Sequence, residues 1–135
     1  MPPKLRVIQV VWVLVFLEGA CWHAFVLAVH GLAVFDFAPA VARIYFHSLL
    51  ILDPLALVMV LRRSRSGVLF GAGVMTADVA ANLYTNWHAL STDPGQFLAP
   101  VGLLPIILSG LFVLATASTL WNHYPAGIGT ADVAT

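Results

Sequence analysis

A chain of 135 residues in which 61% of the side chains are apolar and only 9% are charged, with a mean hydropathy of +0.95, has too much apolar surface for one soluble core of that size to hide. Six Lys plus Arg balance six Asp plus Glu, so there is neither a basic field to attract nucleic acid nor an acidic tail. The single cysteine, Cys21, excludes an internal disulfide framework and any multi-cysteine zinc or iron–sulfur site.

Lys4 and Arg6 precede the first apolar run, which pauses at Glu18-Gly19-Ala20-Cys21, a stretch with the outline of a lipoprotein cleavage box. Glu18 stands where such a box needs leucine, and apolar residues resume at Ala24. The run is therefore read as a retained spanning helix, about Val7 to Val29. Three further stretches reach the roughly 20 residues that a hydrocarbon slab of ~30 Å requires: about Val41 to Leu61, Gly67 to Trp87 and Phe97 to Trp121. They lack the alternation of barrel strands, so the expected fold is all-α, an integral membrane antiparallel four-helix bundle over residues 1–123 with an intramembrane cavity. Arg62, Arg63 and Arg65 crowd the link between the second and third helices, which with Lys4 and Arg6 places both termini in the cytoplasm. Residues 124–135, rich in small side chains, read as a disordered tail.

An Asp or Glu near the bilayer centre costs on the order of 2.5–3.5 kcal/mol, so each one kept there needs a compensating reason. Glu18, Asp53 and Asp78 all fall near the middle of their helices. At about 100° per residue, Asn82 and Thr85 share the face of Asp78, Trp22 and Phe25 share that of Glu18, and Phe46 and Leu49 share that of Asp53. The fourth helix has no central charge and offers a seam of Pro105, Ser109, Thr116 and Thr119. The expectation is an aromatic-roofed pocket where Glu18, Asp53, Asp78 and Asn82 converge. Three acids in one low-dielectric layer cannot all be ionised, and a protonated acid beside an ionised one is an acid/base pair. The bland alternative is that the acids are neutral and serve as hydrogen-bonded packing glue.

His23 and His47 fall in the outer half of the membrane and are expected to bond within the bundle or line a pocket mouth. Neither a His-Glu-x-x-His nor a Glu-x-x-His pair exists, and the helical angles turn His23 and His47 away from Glu18 and Asp53. No metal and no cofactor is expected. Pro54 and Pro105 each lack a backbone donor and are positioned to kink the second and fourth helices.

Glu18-Gly19, Pro54-Leu55-Ala56-Leu57 running into Leu61-Arg62, and Leu83-Tyr84 before a loop with Asp93, Gly95 and Phe97 together resemble the EXPERA group, the emopamil-binding sterol isomerases and sigma-2 receptor type proteins. The resemblance covers the order of four helices. It implies a cavity open to lipid that holds sterols or lipophilic amines, and it implies a catalytic role for Glu18 alone. The family histidine four residues before that Glu is replaced by Leu14, and the polar Asn and Trp of the family's last helix are missing.

The leading expectation is a membrane-embedded pocket protein performing acid/base chemistry on a sterol- or terpenoid-like lipophile, as an isomerase or cyclase. Glu18 and Asp78 would exchange protons, Asp53 would tune them and Asn82 would orient them. Trp22, Phe25 and Phe46 would shield a cationic intermediate by cation–π attraction, and His23, His47 and Ser109 complete the lining. Membrane lipid is the surrounding partner. Two alternatives remain at this level: a small proton-coupled transporter or channel subunit, for which a homodimer would supply a second half, and a structural membrane subunit whose acids pair with a partner's basic groups.

Overall fold

The computed structural model describes residues 1–98 and 103–126. Four α-helices follow one another: α1 (Pro3–His30), α2 (Ala40–Leu61), α3 (Arg65–Thr92) and α4 (Leu103–His123). Short 3₁₀ helices, Leu32–Phe35 and Pro94–Leu98, occupy the first and third connections. All four α-helices are long and apolar enough to cross a membrane, the make-up of a multi-pass integral membrane protein. Their outer surfaces carry exposed Val10, Leu14, Ile44, Ile51, Leu69 and Leu111, side chains that suit lipid rather than water.

Local chemistry sets the ends. Pro3 opens α1 and Pro39 precedes α2, positions where a missing N–H costs no helical bond. Gly31 closes α1 at φ 69°, a left-handed conformation that glycine adopts without a Cβ penalty. Ser64 caps α3 by accepting from the Gly67 amide at 3.1 Å. α3 runs five residues beyond the expected Trp87, to Thr92. Phe97 and Leu98 belong to a 3₁₀ helix instead of opening the last span. Among the described residues α4 begins at Leu103, and Pro105 is its third residue. Pro54 lies inside α2, and the helix continues through it. Of the expected tail, residues 127–135 lie outside the described residues.

Consecutive helices make the most extensive contacts, whereas α1 meets α4 more sparingly. With little hydrophobic drive between helices in lipid, close backbone approach and interhelical hydrogen bonds hold such a bundle. Buried Gln9 donates to the Val60 carbonyl at 3.4 Å and accepts from Arg63 Nε at 3.1 Å, pairing the start of α1 with the end of α2. Tyr45 Oη donates to the Val74 carbonyl at 2.6 Å, tying α2 to α3. Arg65 Nε donates at 3.1 Å to the carbonyls of both Trp121 and Tyr124, and its guanidinium lies 5.4 Å from the centre of a Trp121 ring. The end of α4 is thereby held by the start of α3. Burial raises the Tyr124 phenol above its ordinary value, against the opposing effect of Arg63.

Trp12, with no exposed surface, donates from Nε1 to Thr116 Oγ1 at 2.9 Å, joining α1 to α4. A double-mutant cycle of Trp12→Phe and Thr116→Val, read from unfolding in mixed detergent, is expected to give a coupling of about 0.6–1 kcal/mol. Strict additivity would mean that this bond contributes nothing.

Candidate active site

The four helices and the first 3₁₀ segment surround a pocket of about 340 Å³, within the roughly 300–1,000 Å³ range of small-molecule sites. α1 contributes Glu18, Gly19, Trp22 and His23; α2 contributes Phe46 and Asp53. Met75, Asp78 and Asn82 come from α3, and Pro105, Ile106 and Ser109 from α4. Phe35 and Phe37, from the first connection, lie over it. The Phe35 ring centre stands 5.4 Å from that of Phe46 and 6.0 Å from that of His23, within the range of favourable aromatic contact.

Asp53 belongs to the buried stripe Phe46, Leu49, Asp53, Ala56 and Val60, whose three- and four-residue spacing puts all five on one face of α2. That face meets α1 at Gly19. A Cβ there would stand 2.7 Å from Asp53 Oδ2, so the absence of a side chain at Gly19 is what admits the carboxylate. One turn on, His23 Nε2 lies 3.9 Å from the same oxygen, beyond direct hydrogen-bond distance. His23 Nδ1 is buried and has no hydrogen-bond partner among the described residues.

On α3 the spacing of four residues sets Asn82 over Asp78. Asn82 Nδ2 donates to Asp78 Oδ1 at 3.0 Å and to the Asp78 carbonyl at 2.9 Å. The second bond fixes the amide, and the first assigns Oδ1 as an acceptor, leaving Oδ2 as the oxygen able to carry a proton.

Eight of the side chains expected at the site line this pocket: Glu18, Trp22, His23, Phe46, Asp53, Asp78, Asn82 and Ser109. Their roles in the geometry are unequal. Glu18 is exposed and sits at the rim, because nine residues at about 100° each turn it half a circle from Gln9, the α1 residue that bonds α2. Asp53, by contrast, is 6% exposed. Phe25 points outward at 56% exposure and does not line the pocket, although its ring centre is 6.2 Å from that of Trp22. His47 does not line it either. Its Nδ1 lies 2.7 Å from the Arg43 carbonyl and its Nε2 2.9 Å from the Leu32 carbonyl, so it fastens the 3₁₀ segment that carries Phe35.

Sequence reasoning did not single out Gly19 or Phe35 for the site. For Gly19 a signal existed, a glycine four residues before His23 on the same helix face. Phe35 lies in a connection that no helical period orders. Comparison of the chain with known protein families, with curated proteins and with solved structures gives no match.

Proposed function

We propose that the chain is an antiparallel four-helix bundle enclosing an intramembrane cavity, and that the cavity's acids move protons on a sterol- or terpenoid-like lipophile. The observation that carries this reading is the presence of Glu18, Asp53 and Asp78, from three different helices, around one aromatic-walled pocket with no Lys or Arg among its described lining residues. Acids are costly in hydrocarbon. Three of them around an open space are hard to account for as packing glue, because packing would bring them against partners rather than leave a cavity between them.

In this mechanism Asp78 Oδ2 and the Glu18 carboxyl exchange protons with the carbon skeleton of the ligand, one donating and the other accepting. Asn82 holds Asp78 in a single orientation. Asp53 sets the field between them, and positive charge developing on the skeleton is met by the faces of Trp22, Phe35 and Phe46, worth ~2 kcal/mol or more when desolvated. Such a site serves an isomerase or a proton-initiated cyclase. The likeness of Glu18-Gly19 and Pro54-Leu55-Ala56-Leu57 to the EXPERA group supports the lipophile. The arginines between α2 and α3, with Lys4 and Arg6, support cytoplasmic termini.

Mass spectrometry of the organic extract of purified protein tests the reading. One terpenoid or sterol enriched over the membrane's own content is the expected result. An extract holding only bulk phospholipid, together with proton flux in reconstituted vesicles that Asp78→Asn stops, would instead establish a proton conduit.

A further inference from the structure

We propose that His23 and Asp53 hold one oxygen of the ligand between them, so that the lipophile taken by this pocket is an alcohol. The proposal rests on the reading of the pocket as a lipophile site and adds the functional group by which the ligand is oriented.

His23 is only 9% exposed, and its Nδ1 is buried with no partner among the described residues. An unpaired buried N–H is rarer in proteins than an under-satisfied acceptor. The imidazole proton therefore belongs on Nε2, the nitrogen directed toward Asp53 Oδ2 at 3.9 Å. That separation is too long for a direct bond, yet it suits one bridging oxygen. An oxygen about 2.9 Å from the nitrogen and about 2.7 Å from the carboxylate oxygen would subtend roughly a right angle between them. It would accept from Nε2 and donate its own hydrogen to Oδ2. A hydroxyl supplies both functions, whereas an ether or carbonyl oxygen supplies only the acceptor.

The surroundings favour an organic hydroxyl over water. His23 and Asp53 line the pocket together with the apolar Val26, Phe35 and Phe46, and the Phe35 ring centre stands 6.0 Å from that of His23. An alcohol needs only the two bonds, and its hydrocarbon body takes the apolar wall. Asp78, Asn82 and Glu18 line the same pocket and remain to act on the skeleton once the oxygen is fixed.

The test compares farnesol, its methyl ether and the matching triene hydrocarbon, binding to the full-length protein in one detergent. Farnesol is expected to bind about tenfold more tightly than the ether, because the ether leaves Asp53 Oδ2 without a hydrogen. Asp53→Leu should abolish that preference while retaining the hydrocarbon, whereas His23→Phe should weaken alcohol and ether alike, since either oxygen accepts from Nε2. Gly19→Ala should abolish the preference as Asp53→Leu does, without altering either polar group, since its Cβ would displace Oδ2. Equal affinity for alcohol and ether in the unaltered protein, or a preference that survives both Asp53→Leu and Gly19→Ala, overturns the hydroxyl site and leaves the lipophile pocket standing. Failure of all three compounds to bind removes the pocket reading as well.

Discussion

Asp78→Asn is expected to slow proton transfer on the co-purifying lipophile by about 10²–10⁴-fold, the usual contribution of a positioned acid or base. The substitution is nearly isosteric, and an amide oxygen at the place of Oδ1 still accepts from Asn82 Nδ2, a bond of 3.0 Å in the present protein. The thermal midpoint in detergent should therefore barely move while turnover falls. Glu18→Gln provides the companion measurement. If the two acids act as donor and acceptor, each variant removes a different limb of the pH–rate profile, and the double variant is little slower than the worse single one. Unchanged turnover in Asp78→Asn would leave α3 without a chemical role.

Gly67→Ala is expected to cost about 3 kcal/mol or more, among the larger effects of adding one carbon to a packed interior. Gly67 lies in the first turn of α3, and a Cβ there would run into the backbone carbonyl of Met59 near the end of α2. A backbone carbonyl cannot rotate away as a side chain does. The turn has little slack, because Arg63 already occupies a left-handed conformation at φ 54°, which side-chain-bearing residues adopt at a cost. The Ser64 hydroxyl that caps α3 would also stand 3.2 Å from the new carbon. A large fall in the unfolding midpoint is the result that checks it. An alanine variant as stable as the parent would show that α2 and α3 do not approach at this point.

The four spans are legible in the sequence because hydrocarbon thickness demands long uninterrupted apolar runs, and punctuation by Pro, Gly and Arg separates them. The helix ends are less so. Thr92 ends α3 beyond Trp87 because the residues between, though polar enough to leave a membrane, contain no helix breaker until Pro94. The acids are legible for an energetic reason, their cost in lipid. What a helical wheel gives is direction around one helix; it does not say which neighbour stands there. Glu18 has a depth and a direction, but only the packing shows that this direction leads to the pocket rim while Gly19 and His23 take the face against Asp53. Phe25 shares an angular sector with Trp22, yet its side chain points outward while Val26, the next residue, lines the pocket. His47 is committed to the carbonyls of Arg43 and Leu32, and such pairing with a connecting segment has no signature in periodicity.

The sparing contact of α1 with α4 bears on how affinity is to be measured. Trp22 and Glu18, both exposed, stand on the α1 flank turned from α2, and Pro105, Ile106 and Ser109 face the same pocket from α4. A lipophile reaching the pocket along that seam arrives from the bilayer, where it is concentrated by partitioning, and its reservoir is the acyl phase rather than the buffer. Occupancy then follows the mole fraction of ligand in lipid. Well below saturation, halving the lipid at fixed total ligand would nearly double it, with no change in any contact inside the protein.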